Sequence, residues 1–231
     1  MRKGAYNLIC LHKAMKQEDN LECINGYIPF PLESDYRIQI NSKPMNKLQI
    51  NGVDVLFPYV PYPSQEAYMN EVISSLQNES YALLESPTGT GKTLCLLCAT
   101  LGYLVHCQKY KLKFCFKIIY ATRTHSQISQ VIKELKKTAY EPFIVIMGGR
   151  DKMCMDNKLN TSIEDANVNC HAALSHQKCK YYDSKREKKD PFYFKKVMDI
   201  YDLEDFRNYC AAYKVCHYIF YCWEAIVQRY C

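Results

Sequence analysis

The residues with the clearest chemistry form the stretch ESPTGTGKT at positions 85–93. Gly89 and Gly91 let the backbone approach a ligand closely, so that successive N–H groups can point at phosphate oxygens. Lys92 has the charge and length to reach the β and γ phosphates, and the hydroxyl of Thr93 is suited to hold Mg²⁺. This chemistry is the binding of a nucleoside triphosphate together with its magnesium ion.

The sequence on both sides of this stretch favours a phosphate-binding loop over a solvated Gly-Thr linker. The apolar run YALLE at 81–85 is typical of a buried strand, and LCLLCATLGYLV at 94–105 is typical of a buried helix. A loop between strand and helix also receives the positive end of the helix dipole. Ser86 stands in place of the first glycine of the pattern G-x-x-x-x-G-K-[ST], so the match is complete only at its carboxyl end.

A strand and a helix are predicted upstream of the loop. Apolar residues alternate at Val53, Val55 and Phe57, as in a strand, and prolines then end the run. The next segment begins with a good N-cap, Ser64, and carries one apolar stripe at helical spacing. The stripe consists of Met69, Val72, Ile73 and Leu76.

Gln65 stands at the start of this predicted helix, directly after an aromatic and proline-rich segment. A glutamine beside Phe57 and Tyr62 could read the edge of an adenine while an aromatic ring stacks on the base. The alternative is a solvated residue in the first turn of a helix, and this segment alone favours that alternative.

Strands and helices alternate after the loop as well. The runs FCFKIIYA at 114–121 and FIVIM at 143–147 predict buried strands, and the helix between them has one apolar face. That face consists of Ile128, Val131, Ile132 and Leu135. Such alternation implies a parallel sheet with right-handed crossovers, in which ligands bind at the carboxyl ends of the strands.

A polar turn follows the strand at 114–121 and lies at such an end. Its hydroxyl, guanidinium and amide groups could hold a sugar-phosphate backbone, which needs donors more than base readout. The candidates are Thr122, Arg123, Thr124 and Gln127. Without the phosphate loop, a turn that caps a helix is the better interpretation, and His125 is then a hydrogen-bonded turn residue.

The chain contains 13 cysteines among 231 residues. No apolar run is long enough for a membrane helix or a secretory signal, so we expect an intracellular protein whose cysteines are core residues or metal ligands. Among the cysteines after Asp151, four are separated by 15, 8 and 36 residues: Cys154, Cys170, Cys179 and Cys216. This spacing is a weak metal signal, and Cys210 competes with Cys216 for the fourth place.

The charge of the chain permits a polyanionic partner without requiring one. The net charge is +6, and the basic run KCKYYDSKREKKD occupies positions 178–190. Such a run is normally a solvated face, and beside a nucleic acid it would add salt-dependent attraction to phosphates.

Four blocks of sequence, in this order, resemble the amino-terminal half of the iron-sulfur superfamily 2 DNA helicases. They are NGVDVLFPYVPYPSQEAYM, LLESPTGTGKTLCLLCATL, KIIYATRTHSQISQVIKEL and the cysteine-rich insert, and they cover about residues 48–216. That family includes the xeroderma pigmentosum group D and Fanconi anaemia group J helicases. The resemblance implies an α/β fold: a RecA-like P-loop NTPase domain with a parallel sheet, plus a small irregular or helical iron-sulfur cluster insert.

The resemblance also implies a domain order and roles for individual residues. The segments are an extension of unknown role at 1–46, a first ATP-binding domain at 47–153, an iron-sulfur domain at 154–216 and a divergent tail at 217–231. The nucleotide would be bound by Gln65, Ser86, Pro87, Thr88, Gly89, Thr90, Gly91, Lys92 and Thr93, of which Lys92 and Thr93 are catalytic. Single-stranded DNA would contact Thr122, Arg123, Thr124 and Gln127, and a 4Fe-4S cluster would bind Cys154, Cys170, Cys179 and Cys216.

By this resemblance we expect part of a nuclear, ATP-dependent 5′–3′ DNA helicase of the type that serves telomere maintenance and DNA repair. Its cofactors would be ATP, Mg²⁺ and the 4Fe-4S cluster, and its partner would be DNA as a single strand and fork, without a membrane. The sequence contains no Asp-Glu-Ala-His box and ends before the second motor domain of the family. A catalytically inactive, truncated module that binds nucleotide or DNA is therefore the alternative. A small-metabolite kinase is disfavoured because the cysteine insert would have no role in it.

Overall fold

The structure is a computed structural model that describes residues 8–13, 38–110, 116–142, 144, 146, 148–156, 163–176, 178–181, 203–214 and 216. The described residues up to Pro142 belong to one compact unit, and those from residue 144 onward belong to a second. The predicted tail at 217–231 and most of the basic run at 178–190 lie outside the described residues. None of the helices in the described ranges is long and apolar enough to cross a membrane.

The core of the first unit begins with a β-hairpin of two strands, β3 (Asn46–Ile50) and β4 (Val53–Phe57). Asn51 and Gly52 form the turn between them, both with positive φ, which is the conformation of a tight two-residue hairpin turn. Val53, Val55 and Phe57 are fully buried, as the alternation in the sequence predicts. The predicted strand is therefore confirmed.

Two long helices pack beside this hairpin. They are α1 (Pro63–Gln77), which contacts β3 and the second helix, and α2 (Lys92–Lys109), which contacts β4. Both predicted helices are confirmed, but Ser64 is not the N-cap of α1. Tyr62 takes that place because Pro63 occupies the first helical position, where its missing N–H group costs no hydrogen bond.

The second strand-and-helix unit consists of β5 (Phe116–Ala121) and α3 (His125–Leu135). The predicted apolar face of α3 is confirmed, with Ile132 and Leu135 buried. A strand from the extension, β1 (Leu8–Lys13), pairs with β5 in antiparallel orientation.

The prediction of a buried strand at 81–85 is wrong. This stretch forms no strand, and Tyr81 and Leu83 are 106% and 89% exposed. An apolar run becomes a strand only where another strand pairs with it, and such a neighbour is a property of the tertiary structure rather than of the run itself. The described positions 144 and 146 likewise form no strand, contrary to the prediction for 143–147.

A parallel sheet is not confirmed in the described residues. Each of the three described strand pairs is antiparallel: β1 with β5, β3 with β4, and β2 (Gln39–Ile40) with β6 (Tyr140–Glu141). The described elements are nevertheless a mixture of helices and strands, as in an α/β protein.

The end of the predicted extension is hydrogen-bonded to the segment that follows α3. The N–H group of Asn41 donates to the carbonyl oxygen of Ala139 at 2.9 Å. The ammonium group of Lys43 donates to the carbonyl oxygens of Lys136 and Thr138 at 2.6 and 3.3 Å. Because these carbonyls follow directly after α3, Lys43 caps the negative end of that helix.

Three helices form the described part of the second unit: α4 (Arg150–Met153), α5 (Ile163–Ser175) and α6 (Leu203–Tyr213). α4 packs on α5, and the Arg150 guanidinium donates to the side-chain oxygen of Asn167 at 3.0 Å. Met153 and Ala166 are buried between these elements. Cys154 directly follows α4 and Cys170 lies on α5, so these helices position two of the four candidate cysteines.

Candidate nucleotide site and cysteine-lined pocket

The loop that precedes α2 has the backbone conformation that its glycines predict. Gly89 and Gly91 have φ values of +83° and +76°, in the left-handed region that favours glycine. The loop is closed on itself by Thr90, whose hydroxyl oxygen lies 2.6 Å from the hydroxyl of Ser86 and donates to the carbonyl of Pro87 at 2.9 Å.

Lys92 folds back into this loop. Its ammonium group donates to the carbonyl oxygens of Ser86 and Pro87, the latter at 2.7 Å. The positive charge therefore lies within the loop, where the phosphates of a nucleotide would be bound.

The amino terminus of α2 opens onto the same loop. Its N-cap is Gly91, which has no side chain to bond the free N–H groups of the first turn, and that turn contains no acidic residue. Unpaired N–H groups and the positive end of the helix dipole together favour an anion at this point. The geometry therefore suits a phosphate group.

Gln65 links the start of α1 to the loop. Its side-chain oxygen accepts from the N–H group of Tyr62 at 3.0 Å, and its side-chain nitrogen donates to the carbonyl of Thr90 at 3.0 Å. Gln65 is therefore not a freely solvated residue, which was the alternative that the local sequence favoured. Phe57 is fully buried and cannot stack on a base, whereas Tyr62 is 70% exposed beside Gln65.

Sequence reasoning missed Tyr120, which lies on β5 close to Thr93. Burial raises the pKa of Tyr120, and the hydroxyl of Thr93 partly offsets this effect. Within the described part of the chain, the buried phenol oxygen forms no hydrogen bond of standard geometry. The only sequence signal for Tyr120 is its place near the end of the strand that leads into the polar turn.

The polar turn 122–127 uses most of its side chains to start α3. Thr124 is the N-cap, and its side chain accepts from the N–H group of Gln127 at 3.4 Å. The side-chain oxygen of Gln127 accepts from the N–H group of Arg123 at 3.1 Å, and the Thr122 hydroxyl donates to the Thr124 carbonyl at 3.1 Å. In the structure this turn therefore caps α3, as the helix-capping interpretation predicts. Arg123 and Thr124 nevertheless remain exposed.

The sequence favoured a hydrogen-bonded turn residue at His125, and the structure bears on this expectation at one ring nitrogen. Its Nδ1 atom is buried and has no hydrogen-bond partner among the residues that the structure describes.

In the second unit, all four candidate cysteines line one pocket. Arg150, two apolar side chains and a tyrosine complete the wall. The lining residues are Cys154, Cys170, Cys179, Cys216, Arg150, Met155, Leu174 and Tyr181. Cys210 does not line the pocket; it is 1% exposed, and burial raises the pKa of its thiol to about 12. Of the two candidates for the fourth position, only Cys216 lies at the pocket.

The electrostatics of the pocket differ from those of the protein core. Burial raises the pKa of the Cys154 and Cys170 thiols, but the Arg150 guanidinium acts in the opposite direction on Cys170. In the first unit, burial raises the pKa of Cys95 to about 11 and also raises that of Cys98, without a neighbouring cation. Buried cysteines without a neighbouring cation, such as Cys95 and Cys98, are inert core residues.

The four sulfurs of the pocket form a donor set that suits either iron-sulfur or zinc chemistry. Among the described residues, no three His, Cys, Asp or Glu side chains are grouped closely enough to hold a single metal ion. A tetrahedral zinc site needs its thiolates to converge at about 2.3 Å from one point.

Comparisons with known proteins show what parts of the chain are similar to. The DEAD_2 family model matches residues 120–228. Regulator of telomere elongation helicase 1 homolog of Arabidopsis thaliana is 36% identical over 200 residues, covering 75% of this chain and 18% of the relative. Regulator of telomere elongation helicase 1 is 34% identical over 217 residues in Rattus norvegicus and 33% over 212 in Homo sapiens, each covering 75% of this chain.

The chain spans 16% and 17% of the length of the rat and human relatives, so the similarity concerns one part of much longer proteins. The family match contains the polar turn at 122–127 and the four candidate cysteines, whereas the loop at 85–93 lies before it. Residues 120–228 therefore match the DEAD_2 family, and the chain is similar to one part of the regulators of telomere elongation helicase.

Proposed function

We propose that the chain is the ATP-binding and iron-sulfur part of an ATP-dependent DNA helicase that acts in telomere maintenance or DNA repair in the nucleus. The observation that carries this proposal is the closed phosphate loop, in which Lys92 points inward and Gln65 is bonded to the loop from the side. A bare glycine turn would need neither contact. The domain division at 47–153 and 154–216 is part of the same proposal, with the loop and the cysteines in different segments.

Gln65 would read the adenine base. Its side-chain amide has two donor hydrogens and two acceptor lone pairs, and one of each is already used by Thr90 and Tyr62. One donor and one acceptor remain, which is the set that a glutamine uses for bidentate contact with an adenine edge. The exposed ring of Tyr62 is available for stacking on the base.

Lys92 and the first turn of α2 would bind the phosphates. On binding, the ammonium group would exchange the carbonyls of Ser86 and Pro87 for phosphate oxygens, while the loop amides bond the remaining oxygens. The Thr93 hydroxyl would hold Mg²⁺, which supplies charge neutralisation when bound. Ser86, Pro87, Thr88, Gly89, Thr90 and Gly91 shape the loop around the phosphates.

The polar turn would contact single-stranded DNA with 5′–3′ polarity. The exposed guanidinium of Arg123 and the Thr124 hydroxyl are donors suited to phosphate oxygens, and the Thr122 hydroxyl would first exchange its bond to the Thr124 carbonyl. Gln127 already accepts from the backbone of Arg123, so we expect it to position the turn as well as to contact the strand.

The cysteine-lined pocket would hold a 4Fe-4S cluster on Cys154, Cys170, Cys179 and Cys216. Support comes from the all-sulfur donor set, from its arrangement around one pocket, and from the nearby Arg150 charge, which favours thiolates. The cluster would contribute the folding free energy that a loop-rich segment lacks.

A second candidate function is nucleotide and DNA binding without turnover. The 231 residues contain no Asp-Glu-Ala-His sequence, which in the resembling family holds Mg²⁺ and orients the attacking water. Phosphoryl transfer depends on positioning and on charge stabilisation, so without these groups we expect binding with little hydrolysis.

A binding experiment with Lys92→Ala tests the proposal. Loss of charge-assisted bonds to phosphate is worth about 1.5–3 kcal/mol, so affinity for a fluorescent ATP analogue should fall about 10- to 150-fold. Lys109→Ala, at the opposite end of α2, is the matched control and should bind like the wild type. Equal affinity in all three proteins would refute nucleotide binding at this loop. DNA-stimulated ATP hydrolysis, measured with the same proteins, separates the enzyme from the inactive module.

A further inference from the structure

Two loops of the cysteine-lined pocket are joined by an ion pair. The first loop follows Cys154 and contains Asp156; the second follows Cys179 and contains Lys180 and Tyr181. The Lys180 ammonium lies 3.8 Å from a carboxylate oxygen of Asp156. It also lies 5.1 Å from the centre of the Tyr181 ring, a cation–π distance, and Tyr181 lines the pocket.

The two side chains of this ion pair, Asp156 and Lys180, differ in their exposure to solvent. The Asp156 side chain is 13% exposed, whereas that of Lys180 is 63% exposed. The backbone carbonyl of Asp156 also lies 3.8 Å from the Cys154 sulfur, as the acceptor of its thiol. Asp156 is therefore held against the pocket, and Lys180 reaches over from the second loop to meet it.

We propose that Asp156 and Lys180 form a clamp that positions the Cys154 and Cys179 loops for the metal cluster and slows its loss. This inference rests on the proposed iron-sulfur function. α5 lies between the two loops in sequence and carries Cys170, so the clamp joins loops on either side of that helix. Closing two separate loops on one pocket costs conformational entropy, and a contact made before the cluster binds lowers that cost.

The Tyr181 ring lines one side of the pocket, and the Lys180 ammonium lies over that ring. Long cationic side chains lay their methylene groups over apolar surface while the charge stays in water. Breaking the ion pair would free this cover and expose the cluster to oxidant. Since the pair is partly screened by solvent, we expect a modest effect: cluster loss about two- to five-fold faster.

The test measures the lifetime of the cluster rather than enzyme activity. The full chain is loaded with iron and sulfide under anaerobic conditions, and the decay of the thiolate-to-iron absorption is followed after exposure to air or to an iron chelator. Asp156→Asn and Lys180→Met should each accelerate decay by the factor given above. The conservative Lys180→Arg should keep the wild-type lifetime, and the charge-swapped double variant Asp156→Lys with Lys180→Asp should restore most of it.

Ionic strength provides a second measurement that needs no variant. Salt screens an exposed pair, so concentrated salt should bring the wild-type decay rate close to that of Asp156→Asn and leave that variant nearly unchanged. Lys47→Met is the matched control because it removes an ion pair of the first unit, with Asp54 at 3.0 Å, and it should leave cluster lifetime unaltered.

The outcomes distinguish the clamp from the cluster itself. If the wild type binds iron and the clusters of both single variants decay at the wild-type rate, the proposed clamp is wrong and the cluster assignment is unaffected. If the charge swap decays as fast as the single variants while the salt effect is absent, the residues act through local folding alone, and the clamp is again overturned. A wild-type protein that takes up zinc and no iron overturns the cluster and the clamp together.

Discussion

Replacing Gly91 by alanine should weaken nucleotide recognition in two separable ways. The first is backbone strain, since an alanine at φ +76° costs about 1–2 kcal/mol in the left-handed region. The second is a steric clash, because the new Cβ atom would lie 2.9 Å from the side-chain nitrogen of Gln65. Relief of that clash shifts the flexible end of Gln65 and weakens its hydrogen bond to the Thr90 carbonyl, whose complete loss would cost about 0.5–1.5 kcal/mol.

Gly89→Ala is the matched control. Its φ of +83° imposes similar strain, but a Cβ atom there meets nothing within 4 Å. Both substitutions should therefore lower the affinity for ATP and for GTP through distortion of the loop. Only Gly91→Ala should also reduce the preference for ATP over GTP, by about 2- to 12-fold, because only it displaces the glutamine that reads the base.

The measurement is a titration of each variant with fluorescent ATP and GTP analogues, combined with thermal unfolding to confirm that each remains folded. Equal ATP-to-GTP ratios in the wild type and in both variants would show that Gln65 does not read the base. A ratio that falls equally in Gly89→Ala would show that loop strain, rather than the glutamine, sets the preference.

Three further predictions concern the rest of the chain. Cys216→Ser should remove bound iron, whereas Cys210→Ser should retain it, as iron analysis after anaerobic loading will show. Lys43→Met should lower the free energy of unfolding by about 0.5–2 kcal/mol through loss of the cap on α3, which denaturant titration measures. Burial raises the pKa of Cys95 from 9.0 to about 11, so the thiol loses its proton at a lower pH in the unfolded state than in the folded state. The protonated thiol therefore contributes to stability below pH 9.0, and this contribution is lost as the pH rises through about 11. Denaturant titration across that pH range measures the effect.

The helices and one strand of the first unit could be predicted because their signals are local. The stripe on α1, the face of α3 and the alternation in β4 each record which side of an element is buried. The segment at 81–85 carries an equally apolar run, yet whether it becomes a strand depends on a neighbour far away in sequence. The pairing of β1 with β5 likewise joins segments that lie more than a hundred residues apart. No local sequence pattern predicts it.

The candidate site was predictable as a set of residue types but not as a set of contacts. The glycines and Lys92 could be identified from the loop sequence alone, since each type has one use there. The bond from Gln65 to Thr90 joins positions 25 residues apart, so the local sequence favoured a solvated glutamine. The cysteines had unhelpful spacing, and only the folded chain brings Cys216 to the pocket and leaves Cys210 in the core.

Lys92 and Gln65 together hold the loop at 86–91 in its closed conformation. The carbonyls of Ser86, Pro87 and Thr90 each accept a hydrogen bond from one of these two side chains. A nucleotide must release Lys92 from two of these carbonyls before its phosphates gain the charge, whereas Gln65 can keep its bond to the third. The net gain from the lysine is therefore smaller than its gross attraction for phosphate, and the binding energy of the base depends on a residue that is already in place.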